Sequence, residues 1–498
     1  MRNRFENWKH IGHYLGNLLI IFGPVMLVPL AVIVLAPEEE MSISSALPYV
    51  LSSALSVLCG LLLTRLLPSG DLAGRDAALV CVLAWLVIPA FGAVPFVMVR
   101  NVDFLNAYFE SVSGFTTTGI TMFTGLDAMQ KSLLLWRAIT QWLGGLGILS
   151  FFLVLAFRGG AVHVMVGAES HKIFSRRPAP GMFHTLRILW FIYILFTGSI
   201  ACLLVLEGLP PFDAVAHSLT TLSTGGYSTH DASIGFYQNS GFAHYKLIEY
   251  TIIFGMLLGA INFLVHYRAL RGEVGALGDN FEIRLFWIIV AGALVLIGGE
   301  YLLDNGGADI EGTFRRSLFQ VVAILTSTGF GTANIGDAAY FGTAARQIFL
   351  LLMVVGGCVG STSGGVKVLR IGILFKMVRR QLSRIARPSS FVAPLVVDGQ
   401  RVPEEEVHRV AALFFAWMVL LFCGGIVTAL FAHTPDIGPY ESFSGMFSAL
   451  GNIGPCYISV ENMIRLNPVV KILYIIGMIA GRLEILPVLL LFSRSTWK

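Results

Sequence analysis

Charge is what this 498-residue chain has least of: Asp, Glu, Lys and Arg together make 13% of it, against about 25% in ordinary soluble proteins. That shortage excludes a large soluble domain, which needs a polar exterior. It does not signal disorder, because 36 Phe and 55% hydrophobic residues oppose a disordered composition. Paired cysteine spacing is missing as well. Cys59, Cys81, Cys202, Cys358, Cys423 and Cys456 are scattered, so neither a zinc site nor a disulfide framework is indicated. No Rossmann GxGxxG follows a strand-like run, so nucleotide sensing, if any, belongs to another polypeptide. The opening MRNRFENWKH is basic, but the apolar run behind it is too long for a signal-peptide core, and no small-residue cleavage site is obvious.

What the chain has is apolar length, with a mean hydropathy of +0.75. A bilayer core about 30 Å thick takes about 20 apolar residues per helix. Ten stretches qualify: 12–36, 46–67, 77–99, 132–157, 189–207, 247–267, 285–303, 347–375, 410–432 and 469–492. Lys and Arg concentrate in the N-terminal tail, loop 158–188 (Arg158, Lys172, Arg176, Arg177, Arg187), loop 376–409 and the C-terminus (Arg494, Lys498). Acids such as Glu38, Asp103, Asp213, Asp304 and Asp436 fall in the alternate loops. The positive-inside bias then predicts ten spans with both termini cytoplasmic. Phosphate-binding patches are the competing reading of the basic loops, and topology explains them more simply.

Four of the outer connections repeat a pattern. Glu110–Thr121, Ala216–Ser228, Val321–Thr332 and Ser444–Cys456 each carry a half-polar stretch ending in a small-residue turn. Aligned on Gly119, Gly225, Gly329 and Gly454, they recur at intervals of 106, 104 and 125 residues. The unit is helix, re-entrant loop, helix, and four units use the last eight spans. The stretches Phe104–Phe115, Phe212–Leu222, Phe314–Leu325 and Phe443–Leu450 suit short half-helices. Irregular backbone at membrane depth must line protein or a water-filled cavity. A half-helix entering from outside brings its negative C-terminal end to the midplane, so four around one axis focus on a cation. Glycine supplies the backbone angles such a turn needs.

Thr117-Thr118-Gly119-Ile120, Ser223-Thr224-Gly225-Gly226, Ser327-Thr328-Gly329-Phe330 and Asn452-Ile453-Gly454-Pro455 resemble the TVGY filter of potassium channels. Together with the flanks GFTTTGIT, GNIGP and GRLE, the chain resembles the Trk/Ktr/HKT superfamily of potassium transport proteins over nearly its whole length. Its two extra N-terminal helices and its length match the bacterial Trk membrane subunit better than the shorter Ktr one. The resemblance implies an all-α polytopic membrane protein: four non-identical helix–pore loop–helix repeats in a pseudo-fourfold array, plus the two N-terminal transmembrane helices. The expected partition is 1–70 for that addition, 71–158, 186–268 and 284–376 for repeats 1 to 3, 377–409 for a cytoplasmic loop and 410–498 for repeat 4. The sixteen residues of the four quartets are the expected potassium-binding positions. The resemblance further implies a homodimer surrounded by membrane lipid and a cytosolic nucleotide-binding (TrkA-like) regulatory subunit. It implies no nucleic-acid partner, no covalent cofactor and no enzyme activity, with K+ as the transported substrate. The fourth loop departs most from TVGY, with Ile453 and Pro455 flanking its glycine, so sodium stays a candidate ion beside potassium.

The eighth span is broken by Gly356-Gly357-Cys358-Val359-Gly360-Ser361-Thr362-Ser363-Gly364-Gly365-Val366-Lys367. This is not a Walker loop, because Val366 separates Gly365 from the lysine and no Ser or Thr follows. In the resembled family the position is an intramembrane gate loop, with Lys367 helping to anchor its closed arrangement. Arg482, inside the last span, is either a positive barrier to permeation below the filter or half of an ion pair, with Glu484 one partner for it. Arg137 and Glu249 are expected to be packing pairs. His217 has no partner visible in the sequence. Loop 376–409 carries a predicted Asp398-Gly399 hairpin that is either a solvated turn or a docking surface for a cytosolic partner. The competing function, an ion-coupled (proton or sodium) secondary potassium transporter, would want inverted repeats and a midplane carboxylate; here the repeats run in one direction.

Overall fold

The computed structural model describes residues 4–35, 43–72, 74–147, 182–304, 309–337, 340–386, 394–432 and 437–492. The basic residues Arg158, Lys172, Arg176 and Arg177, the acids Glu38 and Asp436, the tail of span 132–157, and Arg494 and Lys498 lie outside them. Among the described residues the chain is helical apart from one two-stranded hairpin, Val396–Val397 against Gln400–Arg401.

Six helices are long and apolar enough to cross a bilayer: Asn7–Val34, Ser44–Leu66, Asp76–Arg100, His184–Leu206, Phe281–Leu303 and Glu404–Phe431. The first two pack closely because both are glycine at the crossing. A Cβ on Gly16 would stand 2.8 Å from the Gly60 carbonyl oxygen, and one on Gly60 2.6 Å from that of Gly16. The other four are the outer helices of four repeats. Each leads into a half-helix: Phe104–Phe115, Pro211–Leu222, Ile310–Leu325 and Pro439–Gly451. Their starts are set by local chemistry. Asp103 and Asp309 accept from the backbone N–H groups of Asn106 and Gly312, and Pro211 and Pro439 occupy first-turn positions.

The inner helices are shorter than the sequence suggests. Lys131–Gly145, Tyr245–Ala260, Thr343–Val355 and Pro468–Arg482 hold 15, 16, 13 and 15 residues, about 20–24 Å of rise. The expected continuous spans 247–267 and 469–492 are therefore broken, as 347–375 is. The second turns by 106° into Phe263–Leu270, and the fourth is interrupted where Glu484 and Ile485 take left-handed angles. Long apolar runs read as unbroken helix even though Asn262 and Glu484 interrupt them. Tertiary hydrogen bonding at the break decides otherwise.

Two large cores result. One joins the N-terminal helices to repeats 1 and 4 around Phe22, Trp85, Phe115, Trp136 and Tyr474, and the other joins repeats 2 and 3 around Tyr193, Phe263, Phe319 and Phe349. Leu206, Leu303 and Phe415 on the outer helices are exposed, as a lipid-facing surface requires.

Candidate functional site

At the end of each half-helix the chain turns back on itself in the same way. Thr117, Thr224, Ser327 and Asn452 are left-handed (φ 52–56°), and two residues later Gly119, Gly226, Gly329 and Gly454 have φ of 75–101°. The next N–H in each turn bonds back to the half-helix it has left: Thr118 to Ser113, Gly225 to Thr220 and Ile453 to Ser448, at 2.9–3.0 Å, with Gly329 reaching Ala323 at 2.9 Å. This fixes the register and corrects one alignment. In the second loop the quartet is Thr224-Gly225-Gly226-Tyr227, not Ser223-Thr224-Gly225-Gly226; Ser223 still has helical angles and ends the half-helix. The glycine doublet hid the slip, since either glycine satisfies the pattern.

The four loops meet in a ring. A Cβ on Gly119 would overlap the Gly225 carbonyl, one on Gly226 the Thr328 carbonyl, and one on Gly329 the Ile453 carbonyl. A Cβ on Gly454 would stand 2.9 Å from the Thr118 carbonyl oxygen, closing the circle. Only glycine permits that approach at positive φ. Ile120, Phe330 and Pro455 follow their glycines at the outer rim, where Tyr227 takes the place assigned to Gly226.

The loops are backed unequally. Repeats 1 and 3 use the same device, a hydroxyl pair Thr116–Thr118 at 2.7 Å and Thr326–Thr328 at 2.8 Å. Repeat 4 uses Ser448, which donates to the Gly454 oxygen and accepts from its N–H. Repeat 2 borrows Gln141 from repeat 1: Nε2 donates to the Gly225 oxygen at 2.6 Å, and Oε1 accepts from the Tyr227 N–H at 2.9 Å. Sequence reasoning missed Gln141. The only signal was a lone amide in an apolar helix, three residues before a glycine pair.

Buried charge surrounds the ring. Glu110 accepts from the Met122 N–H and pairs with Arg137 at 2.9 Å; Arg137 also donates to the Ser228 oxygen and lies 4.1 Å from the Tyr227 ring. Glu249 pairs with Arg315. Both are packing pairs, as expected; Glu110–Arg137 lies against backbone that follows the first two turns, while Arg315 also pairs with Glu311 near the start of its half-helix. His217 is partnered after all, with the Asp213 oxygen at 2.9 Å and the Ser228 hydroxyl at 3.1 Å.

Below the ring lies the intramembrane segment 356–367. It takes the carbonyls left open where the second inner helix breaks: Thr362 N–H bonds Gly259 and Cys358 N–H bonds Ala260. It also reaches the lower rim, where Thr362 Oγ1 is 3.1 Å from Thr224 Oγ1 and Gly364 N–H donates to Ser327 Oγ at 2.6 Å. A Cβ on Gly364 would stand 2.8 Å from the Asn452 side chain. Gly356, Gly360 and Gly365 have positive φ, as does Lys367, whose ammonium donates to the Ser363 oxygen. Gly357 and Ser361 are held within the segment by the Ser363 hydroxyl.

Arg482 ties this segment to repeat 1. Its guanidinium donates to the Thr362 oxygen at 2.7 Å and to the oxygens of Gly144 and Gly145 at the end of the first inner helix. Glu484 accepts from Arg370. Two acceptors stand out at the lower rim: Thr117 Oγ1 and Asn452 Oδ1 are buried with no hydrogen-bond partner. Leaving such oxygens unsatisfied costs about 1–3 kcal/mol each.

Comparison with known proteins gives one answer. A family model described as "Cation transport protein", TrkH, matches residues 55–274 and 307–497. The Trk system potassium uptake protein TrkH of Escherichia coli K12 is 31% identical over 499 residues, covering 99% of this chain and all of that protein. The protein of that name from Salmonella typhimurium is 30% identical with the same coverage. The crystal structure of the potassium transporter TrkH from Vibrio parahaemolyticus superposes with a TM-score of 0.84 at 29% identity, over 99% of this chain and all of the other.

Proposed function

The chain belongs to the TrkH family of cation transport proteins, and from that premise we propose that it carries potassium inward through the ring of four loops as a channel-like filter. The observation behind this is the ring itself: four turns of one backbone conformation, in contact glycine to carbonyl, at the negative ends of four buried half-helices. The sixteen quartet residues, with Tyr227 added and Ser223 set at the margin, form the potassium path. The orphan oxygens of Thr117 and Asn452 at its inner mouth support a cation there.

Segment 356–367 is the gate of this pathway. It lies against the lower rim at Thr224, Ser327 and Asn452, in series with the filter. Arg482 acts as the brake that holds the segment to repeat 1 and puts positive charge beneath the ring. The basic cytoplasmic surface after Val368 is the docking face for a nucleotide-binding regulatory subunit, and the protein works as a homodimer in the inner membrane with both termini inside.

Ion-replacement uptake in potassium-deficient cells tests the core of this reading. Expression should restore growth at low potassium, with sodium unable to substitute. Equal rescue by both ions would remove the selective filter, and no rescue by a membrane-inserted protein would remove potassium uptake.

A further inference from the structure

Glu282 lies in the first turn of the third outer helix, Phe281–Asp304, away from the ring and the proposed brake. It is buried, and its Oε1 accepts two backbone N–H groups: that of Val359 at 2.7 Å and that of Leu369 at 3.3 Å. Val359 lies within the intramembrane segment. Leu369 lies in the first turn of the helix Val368–Ile385 that follows it. One carboxyl group thus fastens both limbs of the loop at its cytoplasmic base, and the Leu369 bond satisfies an otherwise open helix-start donor.

The neighbouring residue joins the hairpin. Phe281 N–H donates to Asp398 Oδ1 at 2.8 Å, across to the turn of the 396–401 hairpin. Lys376 stands 4.1 Å from the Phe281 ring and donates to the Val396 oxygen. Val359 packs into the small core that holds Leu395, Val397 and Val402 of the hairpin region. The hairpin and the segment therefore share one apolar cluster and one polar relay, two residues long.

We propose that Glu282 is a positioning residue for the intramembrane segment, and that the Asp398 hairpin sets Glu282, so that a load on the hairpin from the cytosolic side reaches the segment through Phe281 and Glu282. This rests on the reading of residues 356–367 as the gate. A latch made of two hydrogen bonds on one side chain can be released by a small shift of the helix end, whereas the glycine ring has no such handle. The hairpin turn, with Asp398 at φ 46° and Gly399 at 74°, is a short lever whose tip lies outside the bilayer.

The test uses full-length protein in liposomes with no partner added, in a background where Cys358, buried within the segment, is the sole cysteine. Glu282→Gln keeps the shape and weakens the acceptor; Asp398→Ala cuts the relay at the hairpin. Glu282→Gln is expected to raise labelling of Cys358 by a membrane-impermeant thiol reagent and to raise potassium efflux, each about fivefold for one weakened hydrogen bond. Asp398→Ala should do so by a smaller factor, and neither variant should alter the potassium-to-sodium ratio or the melting temperature. Parental labelling in folded Glu282→Gln overturns the positioning role, and parental labelling in Asp398→Ala overturns the relay. A deletion of residues 357–364 separates the two claims. Labelling that rises in Glu282→Gln while the deletion conducts no faster would spare the latch and remove the gate. A faster deletion beside an unchanged Glu282→Gln would spare the gate and remove the latch.

Discussion

The ring of four turns and the segment beneath it are both glycine-rich and irregular, yet they are held in opposite ways. Each filter turn closes on its own half-helix, through pairs such as Thr118–Ser113 and Gly225–Thr220, and is then wedged against a neighbour's carbonyl. The segment closes on itself around Ser363, but its place beneath the ring is set by other elements. It depends on the broken end of the second inner helix, on Arg482 from repeat 4, on Glu282 from the third outer helix and on the rim hydroxyls of Thr224 and Ser327. Local closure produces a structure that must unfold in order to move. Borrowed contacts produce one that can leave by exchanging partners, which is how a low-stability element moves within a stable frame.

The sharpest way to break that comparison is to remove the buried charge behind the ring. Glu110→Ala leaves Arg137 buried without its carboxylate, and a loss of about 3–5 kcal/mol is expected. Thermal unfolding in detergent measures it, and an unchanged midpoint would mean that the filter does not lean on this pair. Next comes the ring. Gly329→Ala drives a methyl group into the Ile453 carbonyl at a φ of 80°, and potassium-over-sodium discrimination should fall at least about tenfold, the effect of ~1.4 kcal/mol. Gly226→Ala should match it. Gly225→Ala, which meets the Gln141 side chain, should do less, and the reverse order would reject the corrected register.

The segment should respond in flux. Arg482→Ala should raise potassium flux about tenfold, since one charge about 6 Å from a cation contributes roughly 3 kcal/mol of repulsion before screening. Arg482→Lys should keep much of the brake. Liposome efflux of purified protein decides, and parental flux with reduced stability would leave Arg482 as structure alone.

The smallest effect lies on the outer face, where His230 joins repeats 1 and 2. Its ring stacks on Phe236 at 3.5 Å between Asp127 at 2.6 Å and Asp213 at 3.3 Å. Burial alone would lower its pKa, but the hydrogen bonds and charges of Asp213 and Asp127 outweigh that and raise it. The folded state therefore favours imidazolium. The added stability is complete below the ordinary value near 6.5 and fades as pH rises through the raised one. For a partly exposed pair this amounts to about 0.5 kcal/mol. Melting profiles of His230→Gln against the parent should converge at alkaline pH; a constant gap would make the contact a packing one.

Much of this was legible in the sequence because repetition multiplies weak signals. One Thr-Gly turn means little, and four matched half-polar stretches placed the half-helices and the turn glycines of the first, third and fourth loops. The Gly356–Gly365 break was visible from composition. The breaks at Ile261-Asn262 and Leu483-Glu484-Ile485 were not, because a single polar residue at each break was outweighed by the hydropathy around it; Asn262 caps the next helix at Leu264, and hydrogen bonds from distant residues hold the turn. The second-loop register failed for a similar reason. Two adjacent glycines fit equally well until Gln141, 84 residues away from Gly225, chooses between them. Glu282 stands ahead of the apolar span 285–303 and Gln141 is a single amide in an apolar helix, and the partners of both lie on other elements.

One detail of the inner-helix break reaches further than its role in packing. The Gly259 and Ala260 oxygens end a helix and point where the segment's N–H groups cap them, and Thr362 Oγ1 covers the Leu222 oxygen as well. The segment is thus a dry stand-in for water. On the gate reading proposed above, withdrawal of the segment takes its donors with it and leaves these carbonyls uncapped. Opening would then act twice: it would clear the passage, and it would turn a neutral, internally bonded wall into one that invites hydrated cations.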